Sequence, residues 1–265
     1  MNSKTSDSEA PQSFAALRHP GARLYLIGSC LAMMGDSIEH VISYWVIYEK
    51  FQSPELGGFA IISHWAPFLF FSFWAGSLAD RFDPRRVIQL GMALFMLGSL
   101  GWGYFILTDS LEKWHAAILL TIHGMAGVLW NPAGQILVHD MVGGQQLQSA
   151  IRMMSSARML GFLMGPAIGG GLMLAFGPAV GILINILIYL PLTLWLWKAP
   201  YGPKFRDKEP QTKRQRAVNN FADVKAAINE ISTVPVVFSM TALAGVAAMI
   251  VGNAHQAQMP EFAYD

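Results

Sequence analysis

Seven apolar stretches divide the chain, near 24–48, 56–79, 87–108, 116–138, 156–176, 178–197 and 234–256. At about 1.5 Å rise per residue, 20 helical residues cross the roughly 30 Å hydrocarbon core of a bilayer. The second, third, fourth, sixth and seventh stretches contain no Asp, Glu, Lys or Arg. Barrel strands, of about 10 residues with alternating polarity, do not fit runs of this length. The pattern predicts an all-α membrane protein. A polar tail covers 1–22, a six-helix bundle 23–198, a basic linker 199–232, and a seventh transmembrane helix lies in 233–265. Within the linker, Phe221, Val224, Ile228 and Ile231 recur at helical spacing and predict an amphipathic helix on a membrane face.

Composition agrees. The 265 residues are 53% hydrophobic and 13% charged, against about 25% charged in soluble domains. A single cysteine, Cys30, excludes a disulfide framework. The first 20 residues hold no apolar core of the kind a cleaved signal needs. The segment "LIGSC" loosely resembles a lipoprotein cleavage site, but the apolar stretch runs on past Cys30, so the span stays in the protein.

Charge sets direction. With the N-terminus in the cytoplasm, 16 of the 18 basic residues fall on inside segments, and only Lys50 and Lys113 fall outside. This asymmetry predicts a multi-pass protein of the inner (plasma) membrane with a cytoplasmic N-terminus. The outside turns are short, as in "FGP" at 176–178, so spans 1–2, 3–4 and 5–6 form tight antiparallel pairs.

The segment "GSLADRFDPRRV", 76–87, places five charges between two apolar runs. Its Gly76, Asp80, Arg81, Arg85 and Arg86 resemble the loop between spans two and three of major facilitator superfamily transporters, roughly G-x-x-x-D-R-x-G-R-R. Asp83 stands where that pattern has Gly, and Pro84 displaces the basic pair by one. "GFLMGPAIGGG", 161–171, is similar to the superfamily's exporter motif through Gly161, Gly165, Pro166, Gly169 and Gly170. "WNPAGQILVHDMV", 130–142, resembles a segment of the drug:proton antiporter branch that contains macrolide and enterobactin exporters. The resemblance implies two six-span bundles with substrate between them. The chain then reads as an N-terminal fragment that lacks the C-terminal bundle. The arginine that many such exporters carry in span four is absent, and His123 is the polar residue there.

Three groups of candidate residues follow. The loop residues anchor topology or form a gating latch, in which Asp80 meets a helix N-terminus or a basic partner. The span-five stripe of Ala157, Gly161, Gly165 and Gly169 allows close helix packing or a hinge, and Pro166 removes a backbone donor. On span one, Asp36, Glu39, His40 and Ser43 share a face. Asp36 and Glu39 are the only carboxylates well inside a span, and such residues mark substrate or ion pathways. They form either a proton or substrate cavity or a hydrogen-bond network, unless Glu39 is simply solvated near the outer interface. His40, His123, Asn131 and Gln135 complete this set. His64 and His123 also read as ordinary packing histidines. Tyr44, Trp45 and Tyr48 read as an aromatic belt or a stacking surface.

No phosphate loop or nucleophile elbow is present, and no His/Cys cluster has metal-ligand spacing along the chain. The chain is therefore expected not to be an enzyme and to need no cofactor or metal. Its expected partners are the lipid bilayer, a small-molecule substrate and a proton, with no nucleic acid. The expected function is proton-coupled export of a drug-like or siderophore-like compound by alternating access. The alternatives are an importer or sodium-coupled carrier, or a non-transporting scaffold or inactive fragment.

Overall fold

The computed structural model describes residues 14–205 and 221–250. A 3-10 turn, Ala15–Arg18, leads into α1 (Pro20–Phe51), α2 (Pro54–Arg81), α3 (Pro84–Leu107), α4 (Lys113–Lys198), α5 (Phe221–Ser232) and α6 (Pro235–Ile250). The 86-residue α4 is not one rod. Gly143 (φ 71°, ψ 171°) and Gly177 (φ 78°, ψ 165°) leave helical geometry inside it. Positive φ is cheap only for glycine. These two breaks divide α4 into α4a (113–142), α4b (144–176) and α4c (178–198), so six helical segments precede α5, as the hydropathy pattern predicts.

Local chemistry explains the helix ends. Prolines open α1, α2 and α3, where the missing N–H has no helical partner to lose. Ser53 caps α2 by accepting from the Leu56 N–H, and Asp83 caps α3 by accepting from the Arg85 N–H at 3.0 Å. Gln52 in left-handed conformation (φ 44°) ends α1 and turns the chain into α2.

The helices differ from the apolar stretches in one systematic way. The fifth stretch is predicted from 156, yet α4b starts at 144, and α4a runs to 142 rather than 138. Residues 144–155 are polar enough to leave the hydrocarbon but remain good helix formers. Apolarity marks where a bilayer ends, whereas capping and glycine mark where a helix ends.

Among the described residues, α2, α3 and α4 are long and apolar enough to cross a membrane by length and composition. α1 has the length, at 32 residues, and carries Asp36 and Glu39 in its middle. α1, α2 and α3 pack chiefly on α4. The interior has two apolar layers. One, nearer Arg81–Arg86, holds Tyr25, Met92, Phe95, Trp130, Leu137, Tyr189 and Leu192. The other, nearer the Gln52 turn, holds Ile38, Ile42, Trp102, Leu119 and Ile182. Large apolar side chains also point outwards, among them Leu69, Phe70 and Trp74 on α2, Leu163 on α4b and Leu187 on α4c. An apolar exterior over an equally apolar interior suits lipid as solvent.

α5 forms where the amphipathic pattern predicts a helix. α6 covers 16 residues of the seventh stretch and packs on α5. The rest of that stretch lies outside the described residues.

Candidate functional site

Polar side chains gather where the two apolar layers meet. Asp36 and Glu39 enter from α1, Ser99 from α3, His123 from α4a and Asn185 from α4c, and all five are buried. His123 sits between the carboxylates. Its Nε2 is 2.9 Å from Asp36 Oδ1 and its Nδ1 is 2.9 Å from Glu39 Oε1. Ser99 donates to the other Glu39 oxygen at 2.5 Å. Asn185 donates to the Gly35 carbonyl at 2.9 Å and approaches Ser99 Oγ at 3.3 Å. A buried charge is tolerated when paired and hydrogen-bonded, and the trio meets that condition. Glu39 is 1% exposed, which overturns the reading of it as solvated near the outer interface.

His40 and His64 extend the centre towards α2. His40 Nδ1 lies 2.8 Å from the Asp36 carbonyl, and its Nε2 lies 3.2 Å from His64 Nδ1. The His40 ring meets the His123 ring edge to face at 4.6 Å. Phe95 closes the basic-end side, edge-on to His123 at 4.8 Å and stacked on Tyr189 at 5.2 Å. Tyr44 packs on His40 at 5.1 Å and is buried. It belongs to the site rather than to an exposed belt. Tyr44 also lines, with Tyr48, Gln52, Ala60 and Ile61, a cavity of about 510 Å³ opening at the Gln52 end.

Asn131 and Gln135 separate. Asn131 is half-buried and accepts a hydrogen bond from Arg158 Nη1. Gln135 is exposed, one turn further on, and does not join the centre. Arg158 itself lies over the Trp130 ring, 4.3 Å from its centroid.

The small-residue stripe packs against α1. A Cβ added at Gly161 would stand 2.2 Å from the Cys30 carbonyl oxygen, and one at Gly165 2.3 Å from Ser37 Cβ. At Gly169 the gap to Ile38 Cα is 3.2 Å, and at Gly170 the space is open. Pro166 lies inside α4b without breaking it; the breaks are at Gly143 and Gly177.

In the 76–87 loop, Gly76 is half-buried with open space at its Cα, and Asp80, Arg81 and Arg86 are exposed. The strong contacts belong to Asp83 and Arg85. Arg85 Nη2 meets Asp83 Oδ2 at 2.5 Å, and its Nη1 donates to the Ala199 carbonyl at 2.5 Å. Arg85 also lies over the Phe205 ring at 5.2 Å. Burial pushes the Asp83 carboxyl up, but hydrogen bonds from the Arg85 side chain and backbone outweigh it and hold the group below its usual range. The loop thus clips the start of α3 to the exit of α4c through Arg85, which is held in place by Asp83, the residue that departs from the expected glycine.

Sequence reasoning missed four contributors. Ser99, Tyr189 and Asn185 are uncharged and sit inside apolar runs; only the rarity of Asn in such a run singles out Asn185. Arg158 reads in the sequence only as one of the 16 basic residues assigned to inside segments.

The transmembrane secretion effector family matches residues 11–259. The chain belongs to this family, within the major facilitator superfamily. The staphyloferrin A transporter of Staphylococcus aureus is 21% identical over 189 residues, covering 67% of this chain and 47% of that protein. MdtD of Cronobacter sakazakii, whose name is that of a multidrug resistance protein, is 32% identical over 96 residues, 36% of this chain and 19% of MdtD. MdtD of Escherichia coli O81 is 29% identical over the same length. The chain therefore spans about half, or less, of the curated relatives it matches. Family and relatives are transporters rather than enzymes, and this member is a multi-pass membrane protein.

Proposed function

We propose that this chain forms the first bundle of a two-bundle secondary transporter that exports a drug-like or siderophore-like small molecule. Alternating access arises from rocking of the two bundles, driven by the proton gradient. The observation that carries this reading is the buried polar centre at mid-depth of an otherwise apolar bundle. Transporters of this kind hold substrate and coupling ion near the bilayer midplane, between repeats. Asp36, Glu39, His40 and His123 are where the bundle meets the transported ion and the polar groups of the cargo, and Asn131 with Arg158 extends that polar track towards the basic end. The staphyloferrin transporter and MdtD support the cargo class, and the length of the matched region supports a second bundle.

In this reading the N-terminus is cytoplasmic. The same end of the bundle carries Arg18, Arg81, Arg85 and Arg86, joined to the exit of α4c through Arg85 and Ala199. Asp80, exposed at that end, is the latch residue towards the second bundle. The tight α4b–α1 seam is the rigid wall against which the cavity opens and closes.

The test is efflux of a fluorescent drug from cells carrying the gene product, with and without a protonophore. Protonophore-sensitive efflux that Glu39→Gln abolishes supports the proposal. Accumulation driven by the gene product would assign an importer. Efflux that depends on sodium and survives the protonophore would replace the coupling ion.

A further inference from the structure

The three histidines of the polar centre have a geometry that transport does not require. His40 comes from α1, His64 from α2 and His123 from α4a. Among the described residues they are the one group of this kind whose ligand atoms, one from each residue, all lie within 4.8 Å of one another.

Their protons are placed by their neighbours. The Asp36 carbonyl only accepts, so His40 Nδ1, at 2.8 Å, carries the hydrogen and its Nε2 is bare. That bare nitrogen accepts from His64 Nδ1 at 3.2 Å, so His64 Nδ1 gives up its hydrogen when a metal ion takes the site. Two imidazole nitrogens on one tetrahedral zinc-sized ion, at bonds of about 2.0–2.1 Å, lie about 3.3 Å apart. The pair already stands at that separation. His123 is held by both carboxylates, Nδ1 by Glu39 and Nε2 by Asp36 Oδ1, each at 2.9 Å; a carboxylate only accepts, so Nε2 carries a hydrogen that an arriving metal ion displaces. A ring nitrogen tied to a carboxylate or a backbone carbonyl, with the other directed inwards, is the outer-shell arrangement of metal-ligating histidines.

We propose that His40, His64 and His123 bind one divalent transition-metal ion of the zinc, cobalt or nickel class. Three imidazoles suit those ions and not magnesium or calcium, which take oxygen ligands. The cavity at the Gln52 end stops one side chain short of the histidines: Tyr44 lines it and packs directly on His40. Binding is an equilibrium property of this bundle and does not depend on the transport reading.

The test is cobalt titration of the metal-stripped full chain in detergent, followed by the visible d–d absorption of tetrahedral cobalt. One cobalt per chain, displaced by zinc and not by excess magnesium, is expected. His40→Ala and His64→Ala each weaken binding by about 10-fold or more, while His139→Ala, on an exposed residue of α4a, leaves it unchanged. His64→Gln keeps the packing and loses the ligand, so it serves where the alanine variant does not fold, as judged by thermal unfolding without metal. No tetrahedral band in the wild type overturns the proposal. So does an undiminished band in folded His40 and His64 variants, which would place the ion elsewhere.

Discussion

The guanidinium of Arg158 lies 4.3 Å from the centroid of the Trp130 indole, with one arm donating to Asn131. By sequence this arginine is a positive anchor at the edge of a span; in the fold it packs a cation on an aromatic face inside the bundle. Cation–π contacts contribute about 0.5–1 kcal/mol when exposed and about 2 when desolvated.

Arg158→Lys keeps the charge but loses the planar stack and the fork to Asn131. We expect it to lower the unfolding temperature in detergent, by an amount corresponding to about 1 kcal/mol. Arg158→Ala should cost more. A lysine variant as stable as wild type would show that charge alone matters.

The glycine stripe separates two motif positions that look alike in sequence. Gly161→Ala places a Cβ 2.2 Å from the Cys30 carbonyl, and backbone cannot step aside as a side chain does. Overpacking of this kind costs about 1–3 kcal/mol. Gly170→Ala meets nothing within 4 Å and should be neutral or stabilising, because alanine favours helix. Thermal unfolding of the two variants in one detergent checks the contrast.

Asp83 ties acid stability to the loop. Its carboxyl is held below its ordinary range by the Arg85 hydrogen bonds, so the folded state favours the ionised form. That contribution is fully present above the unfolded value and is lost as pH falls through the lower folded value. Asp83→Asn keeps a cap but loses the ion pair with Arg85. The variant should be less stable at neutral pH, and the difference from wild type should shrink as pH drops below about 4. A difference that stays constant over that range would remove the ion pair from the account.

His123 joins two carboxylates, so the three side chains should act as a unit. Removing one member of a buried ionic set costs about 3–5 kcal/mol, because it strands a charge. His123→Ala should therefore destabilise strongly, and adding Glu39→Gln to it should cost little more. Additive losses in that double-mutant cycle would mean that the contacts are independent.

Much of this architecture is written in the hydropathy pattern. Charge-free runs locate the spans, and Gly177 in "FGP" marks a turn that the structure places at a positive-φ glycine. Asp36 and Glu39 stand out because carboxylates are costly in lipid. Their partners are harder to see. His123 is 84 residues from Glu39 and Asn185 is 150 from Gly35, so their meeting depends on how α4 folds back on α1. The histidine cluster is hidden for the same reason: spacing rules describe ligands on one element, and these three come from three helices. Asp83 reads as a defect in the motif until its cap and its pairing with Arg85 are seen. Arg158 is misjudged because charge counting assigns a side to a residue from sequence position and ignores where a long side chain packs.

The proposed orientation puts the basic end of the membrane-spanning bundle in the cytoplasm. Labelling with a membrane-impermeant thiol reagent tests it most directly, in a background where Cys30→Ser removes the one native thiol. Ser110→Cys, at the turn after α3, should be labelled in intact cells. Arg86→Cys, at the start of α3, should be labelled only after permeabilisation. Labelling of Arg86→Cys in intact cells, with Ser110→Cys protected, would contradict the account.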